Sequence, residues 1–294
     1  MQTTGNALPH PPETLDQVYR RGRAALAAAG GEGDSPLEAA FLFEKAFGLS
    51  RGALLSRGGE SAGAEEAAAF LAMVERRLAG EPLQYILGEW EFFGLPFSVG
   101  PGVLIPRPET ELLVEKALEL LEGIPSPLLL DLCSGSGCIP IALGASRPDA
   151  RVWGVELSPA ALSFFRQNLL ANRAANVTAV EGDVFALPGE ITGRKYRLIT
   201  ANPPYIPRGE LGSLQREVGA EPPMALDGGP DGLDFYRRLP GLCRPLLEPG
   251  GALLLEIGED QGAAVKALLE GAGYRPVEVF RDLSGLDRVV LGFF

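Results

Sequence analysis

The chain has 294 residues, which at about 150 residues per domain sets a prior of two domains. Its 46% hydrophobic content builds an ordinary core and excludes wholesale disorder. Against 38 acidic residues stand 26 basic ones, and the net charge of −12 speaks against a protein whose main task is tracking a nucleic-acid backbone. The chain starts MQTTGNALPHPPE, with neither a basic n-region nor an apolar h-region, so no secretory leader is read. His10, the sole histidine, lies in that Pro-rich start, which leaves a Ser-His-Asp triad or a histidine metal site without material.

Thr14 and Gln17 have the spacing of a capping box, and the helix they open runs to Gly30. Ser35, Pro36 and Glu38 open a second helix that stops at Gly48. A third is predicted from Ala64 to Leu78. Residues 1–80 thus read as a small helical bundle. The pattern then changes. Trp90, Phe92, Phe93, Leu95, Phe97 and Val99 around Gly94 read as a hairpin. Ile105-Pro106-Arg107-Pro108 is extended, because residues before proline avoid the helical region. A helix follows from Glu109 to Leu121. Residues 81–107 form the linker, and 108–294 the second domain.

From Leu128 onward strand and helix alternate. Strands are predicted at Leu128 to Leu132, Arg151 to Glu156, Val177 to Val180, Arg197 to Ala201, Gly251 to Ile257, Val277 to Phe280 and Arg288 to Phe294. Helices are predicted from about Cys138, from Ser158-Pro159 to Asn172, and from Phe235 to Leu247. Such alternation argues for a parallel, doubly wound α/β sheet. The most apolar stretch, Ile124 to Ser146, is broken by Asp131 and by Gly and Pro, so it is no membrane span. Cys133, Cys138 and Cys243 are too few and too odd for a disulfide framework, which points to a reducing, cytoplasmic compartment.

The first chemical signal is Asp131-Leu132-Cys133-Ser134-Gly135-Ser136-Gly137-Cys138, between a predicted strand and a predicted helix. Its glycines let backbone approach a ligand closely. At the carboxyl end of the first strand, such a turn occupies the binding crevice of an open α/β sheet. Glu156 ends the next strand, where a carboxylate can accept from both hydroxyls of a ribose. A dinucleotide fingerprint wants a third glycine where this chain has Pro140, so that match fails. S-adenosylmethionine, with a ribose and adenine but no phosphate, is the other ligand; a plain tight turn is the bland reading. Asp183 follows the third strand and can accept from the adenine amino group, while Val184 and Phe185 can line the ring.

Asn202-Pro203-Pro204-Tyr205, directly after the fourth strand, is the sharpest signal. A planar amide or aromatic amine is a poor nucleophile, since its lone pair is delocalised. Two acceptors aimed at its N–H groups hold the nitrogen and stabilise the charge that develops as it attacks a methyl group. The Asn202 side-chain oxygen and the Pro203 carbonyl can be those acceptors, on a backbone that proline fixes. Tyr205 can pack on the planar group. Neither a histidine nor a metal is needed.

Together these residues resemble the class I S-adenosylmethionine-dependent methyltransferases that modify planar amino nitrogens. More closely, the chain resembles the release-factor glutamine methyltransferases, the PrmC or HemK family. The likeness runs nearly end to end: Pro82 to Gly88, Phe92-Phe93-Gly94, Leu104 to Glu111, Asn202 to Tyr205, Glu221-Pro222, Ala225 to Leu233, Leu255 to Gly258, and Gln261. The Asn-Pro-Pro-Tyr segment is shared with DNA amino-methyltransferases; Ile105 to Glu111 and Gly228 to Leu233 are far more specific. The resemblance implies a mostly parallel sheet with an antiparallel last strand. It further implies a small N-terminal helical bundle, joined by a β-hairpin, that recognises the protein substrate.

By the same resemblance S-adenosylmethionine is held by Asp131, Cys133, Ser134, Gly135, Ser136, Gly137, Glu156, Asp183, Val184 and Asn202. The substrate site falls on Asn202, Pro203, Pro204 and Tyr205, with Asn202, Pro203 and Tyr205 catalytic. The expected substrate is the glutamine of the Gly-Gly-Gln tripeptide in class I peptide-chain release factors, without direct contact to nucleic acid or membrane. A ribosomal-protein glutamine, a DNA or RNA amino group, and a non-catalytic nucleotide-binding role are the rival readings. Three positions depart from the family pattern: Cys133 stands where many relatives have Gly, Arg197 where Asp is frequent, and Ala220 where an aromatic is common.

Overall fold

The computed structural model describes residues 13–28 and 35–294; His10 and Gly30 lie outside them. The helices up to Leu87 form one compact unit, and Gly88–Phe294 form another.

In the first unit α1 (Leu15–Ala28), α2 (Ser35–Phe47), α3 (Arg51–Arg57), α4 (Ala64–Leu78) and α5 (Leu83–Leu87) follow in order. The predicted capping box is present: Thr14 N–H donates to Gln17 Oε1 at 2.8 Å, and Gln17 N–H donates to Thr14 Oγ1 at 3.3 Å. Gly48, at φ +63°, ends α2. Tyr19 and Phe70 each meet Phe43 edge-on with ring centroids 5.5 Å apart, an arrangement aromatic quadrupoles favour. Sequence periodicity misses α3 and α5, which span two turns or fewer. Ser50 marks the start of α3 by accepting from Ala53 N–H.

The second unit opens with the hairpin β1 (Glu89–Phe92) and β2 (Leu95–Ser98). Its turn residues Phe93 and Gly94 both have positive φ, +53° and +71°, as the tightest hairpin turns require. A short 3-10 turn, Pro108–Thr110, then leads into α6 (Glu111–Leu120), a residue or two later than predicted. The alternating part is β3 (Leu128–Leu132), α7 (Cys138–Ser146), β4 (Arg151–Glu156), α8 (Pro159–Ala171), β5 (Val177–Glu181), α9 (Gly189–Thr192), β6 (Tyr196–Ala201), α10 (Asp234–Cys243), β7 (Leu247–Glu256), α11 (Gly262–Gly271), β8 (Val277–Arg281) and β9 (Asp287–Phe293). The sequence reading omits α9, too short to show a period, and α11, bounded by helix-weakening glycines.

The seven strands lie in the order β5-β4-β3-β6-β7-β9-β8. All neighbours run parallel except β9, which is antiparallel to both β7 and β8. Alternate residues along each strand serve opposite faces. Leu129, Val152, Leu198 and Leu254 pack with residues of α6, α7 and α8. Leu130, Val155, Ile199 and Leu255 pack with Tyr236, Leu239, Val265 and Leu269 of α10 and α11. Both faces are therefore covered, the condition for a parallel sheet. The chain leaves β3 towards β4 and β5, then returns to the other side of β3 as β6. That reversal opens a crevice at the carboxyl ends of β3 and β6, where ligands of open α/β sheets bind. Among the described residues no helix is long and apolar enough to cross a membrane.

Candidate active site

The turn after β3 is shaped by backbone. Cys133, Gly135 and Gly137 take φ of +59°, +56° and +82°. A Cβ on Gly137 would strike the Phe165 ring, whereas beside Gly135 the space is open. Glu156, at the end of β4, ties the turn down: Oε2 accepts from Gly135 N–H and Oε1 from Ser158 N–H, both at 2.7 Å. Ser158 in turn caps α8, accepting from Ala161 N–H. Asn168 of α8 is fully buried and donates to the Ser136 carbonyl at 2.9 Å; its Oδ1 accepts from Ser98 N–H at 2.7 Å. The β2 strand and the turn thus share one amide.

Asp131 lies beneath this turn with no exposure to solvent. Its Oδ1 accepts from the Thr200 hydroxyl at 2.6 Å, while Oδ2 has no partner among the described residues. Burial pushes its carboxyl up to about 7; donation from Thr200 opposes the shift and the Glu156 charge adds to it. Burial and the neighbouring carboxylates raise the Cys133 thiol well above its ordinary value, so it stays protonated.

The opposite wall comes from the segments after β5 and β6. Asp183 Oδ1 accepts from Phe185 N–H at 2.8 Å, turning the chain so that Val184 and Phe185 face the cleft. Phe185 and Phe235 lie with ring centroids 5.0 Å apart, and the Arg238 guanidinium covers Phe185 at 3.4 Å from the ring centroid. The rim is formed by Gly102, Leu104, Pro222 and Met224.

The Asn202–Tyr205 loop is held by distant residues. Asn202 Nδ2 donates to Thr110 Oγ1 at 3.4 Å. Gln261 Nε2 donates to the Tyr205 carbonyl at 2.9 Å and to Gly232 O at 3.3 Å, while its Oε1 accepts from Gly258 N–H. The loop lies directly against Gly228 and Gly232. A Cβ on Gly228 would sit 2.7 Å from Tyr205 Cα, and one on Gly232 would collide with the Tyr205 carbonyl. Here the Gly228 to Leu233 motif acquires its physical reason. Next to it, Glu221 is 3% exposed, accepts from Ile105 N–H at 2.9 Å and pairs with Arg107. Burial, foremost, and the Glu256 charge push the Tyr205 hydroxyl up to about 12, so it remains neutral.

Of the predicted site residues, Cys133, Gly135, Glu156, Asp183, Val184, Asn202 and Pro204 line one cleft. Asp131, Ser134, Ser136 and Gly137 are not among its lining; Asp131, Ser136 and Gly137 meet Thr200, Asn168 and Phe165. Pro203 and Tyr205 sit beside the cleft, in the loop that carries Asn202. The sequence reading gave no role to Thr110, Glu256 or Asn168. The first two stand in quoted family segments, but the Thr110 contact with Asn202 spans 92 positions and leaves no local pattern.

Residues 17–88 match the family model described as the PrmC N-terminal domain, and residues 109–216 match the methyltransferase small domain. A release factor glutamine methyltransferase of Moorella thermoacetica is 45% identical over 283 residues, 96% of this chain and 97% of that one. Its counterpart in Geobacter sulfurreducens is 42% identical over 280 residues, covering 95% and 96%. Among solved structures, the hMettl16 catalytic domain aligns with a TM-score of 0.58 at 17% identity, over 77% of this chain and 79% of that one, a likeness of fold alone. Matched along nearly its whole length, the chain belongs to the release factor glutamine methyltransferase family.

Proposed function

We propose that the chain transfers a methyl group from S-adenosylmethionine to the side-chain amide nitrogen of a glutamine in peptide-chain release factors. The near-full-length likeness to release factor glutamine methyltransferases is the observation that carries this reading. The site has the means for it. Open space beside Gly135 leaves room for a ligand against backbone. Each Glu156 oxygen accepts one backbone N–H and keeps a lone pair for a ribose hydroxyl. Val184, Phe185 and Phe235 give a flat apolar wall for adenine. S-adenosylmethionine supplies, when bound, an electrophilic methyl group on a cationic sulfur.

The chain's own residues supply position and charge stabilisation. Asn202 spends its Nδ2 on Thr110, which leaves Oδ1 to accept from one N–H of the substrate amide. The Pro203 carbonyl accepts from the other. Both oxygens are fixed before substrate arrives, so they stabilise the positive charge of the attacking nitrogen without reorganising. Tyr205, neutral and half-buried, packs on the planar amide. In-line alignment of nitrogen and methyl group then supplies much of the rate.

The reading extends to the glutamine of a Gly-Gly-Gln tripeptide in class I factors, with N5-methylglutamine as product once the methylated nitrogen has released one proton to solvent. The helical unit, the predicted recognition segment 1–80 extended by α5, docks the release factor, since a glutamine side chain alone offers too little surface for specificity. The test incubates the full chain with labelled S-adenosylmethionine and, separately, an intact release factor, a Gly-Gly-Gln peptide, a ribosomal protein or DNA. Label is expected on the glutamine side-chain nitrogen of the intact factor, with the peptide labelled more slowly. Preferential label on ribosomal protein or DNA overturns the substrate reading; equal rates on factor and peptide overturn the docking role.

A further inference from the structure

Glu256 ends β7 and is 1% exposed, and the β6–β7 register, with Ala201 opposite Leu255, sets it beside Asn202. A buried carboxylate costs stability unless its oxygens are satisfied. Here Oε2 has no partner among the described residues. Arg288, the nearby cation, is engaged elsewhere, with Asp282 Oδ2 at 3.2 Å and the Ile257 carbonyl. The Thr110 and Asn202 side chains lie close enough to the Glu256 carboxyl to oppose the upward push of burial on its titration. Thr110 is 2% exposed and its hydroxyl oxygen already accepts from Asn202 Nδ2. A hydroxyl has one proton, and on this arrangement it goes to Glu256.

An asparagine amide can turn either end towards a neighbour. The two orientations differ only in which atoms are donors and which are acceptors. An ionised carboxylate only accepts. Placed beside Asn202 and Thr110, it selects the orientation with nitrogen inward and oxygen towards the cleft. The reversed orientation would put an oxygen against an acceptor and an N–H₂ against the substrate amide, which needs an acceptor. We infer that Thr110 and Glu256 are positioning residues that set the orientation of the Asn202 side chain, so that Oδ1 faces the amide to be methylated. The inference rests on the reading of Asn202 as the acceptor for the substrate nitrogen.

The test compares full-length Thr110→Val, Thr110→Ser, Glu256→Gln and Asn202→Ala chains. Assays run at about pH 8.5, above the value of about 7 to which burial pushes the Glu256 carboxyl. Thr110→Val keeps the shape and removes the hydroxyl. Its kcat is expected to fall roughly tenfold, as for one hydrogen bond lost in the transition state, with unchanged calorimetric affinity for S-adenosylhomocysteine. Thr110→Ser restores the hydroxyl and is expected to recover most of that loss. A glutamine at 256 offers a donor as well as an acceptor, so Glu256→Gln is expected to lower kcat in the same way. Thr110→Val combined with Asn202→Ala is expected to add nothing to Asn202→Ala, because Thr110 acts through Asn202. Normal kcat in Thr110→Val, with Asn202→Ala inactive, overturns the positioning role alone. Normal kcat in Asn202→Ala overturns the reading beneath it. A loss in Thr110→Val that Thr110→Ser fails to recover assigns the effect to packing and also overturns the inference. If Glu256→Gln does not fold, the Thr110 pair still decides.

Discussion

The turn after β3 and the loop after β6 stand at the same crevice, yet they are held in opposite ways. The turn is a local device. Three of the five residues from Cys133 to Gly137 have positive φ, and its main tie, Gly135 to Glu156, spans 21 positions. The loop from Asn202 to Tyr205 has ordinary backbone angles and borrows its rigidity from afar: Thr110 lies 92 positions away, and Gln261 lies 56 from Tyr205. A ligand-binding turn can be written in a short stretch because backbone conformation is its chemistry. On the proposed reading, a pair of acceptors aimed at a reacting nitrogen needs tolerances that a four-residue loop cannot set by itself.

The strongest way to break this contrast is to remove one side chain from each half. Asn202→Ala is expected to lower kcat by about 10²–10³-fold, the range for losing one preorganised charge-stabilising group, while S-adenosylmethionine affinity changes little. Glu156→Ala is expected to weaken S-adenosylmethionine binding by about 1–3 kcal/mol, the cost of leaving buried donors without their acceptor. Methyl transfer at saturating S-adenosylmethionine and calorimetry separate the two. If each variant lost binding and turnover alike, the two halves would be one cooperative unit and the contrast would fail.

What the sequence discloses follows the same division. The sheet was legible because strand and helix periods alternate; β4 and α4 have the predicted bounds. The Gly-rich turn was legible because glycine is what its positive φ values favour. Asn202 was legible as a motif. Its supports were not, since Thr110 looks like a helix-start threonine and Gln261 like a polar residue after a strand. Asp131, Ser134, Ser136 and Gly137 read as ligand contacts because they share the turn with Gly135. Asp131, Ser136 and Gly137 also meet Thr200, Asn168 and Phe165, contacts that the sequence pattern does not disclose. Proximity in sequence does not tell which side of a turn a residue serves.

The two halves agree in one respect: each hides an acid, Asp131 under the turn and Glu256 beside the loop, and burial pushes both carboxyls up to about 7. Ordinary carboxyls in the unfolded chain titrate near 4. Between about pH 4 and pH 7 the folded state therefore holds more protons than the unfolded state, and stability falls as pH rises through that window. Asp131→Asn keeps an acceptor for Thr200 and removes one of the two acids. It is expected to flatten the fall, with a stability gain on the order of 1–2 kcal/mol at pH 8 and little change at pH 4. Urea unfolding at both pH values measures this. An unaltered pH slope would mean that Asp131 is ionised in the folded chain at no cost.

Cys133→Gly is the finest probe of the local half. Cys133 has φ of +59°, a region where a side chain costs roughly 1–2 kcal/mol and glycine nothing. Glycine at the position where many relatives carry it removes that strain. Against this, glycine gains conformational freedom in the unfolded chain, worth roughly 0.5–1 kcal/mol. The half-buried thiol, which packs against the same core cluster as Tyr205 and Phe185, also loses its contacts. The opposing terms leave a net stabilisation below about 1 kcal/mol, or a rise in Tm of less than about 4 °C for a domain of this size. The thiol is uncharged in the cleft, since burial and the carboxylates around it raise its titration well above the ordinary range. Its removal is therefore expected to leave S-adenosylmethionine affinity and kcat as they are. Differential scanning calorimetry and the methyl-transfer assay check both halves of that statement. A large loss of stability would mean that the thiol's packing, and not backbone conformation alone, holds the turn, and the description of the turn as a backbone device would have to be given up.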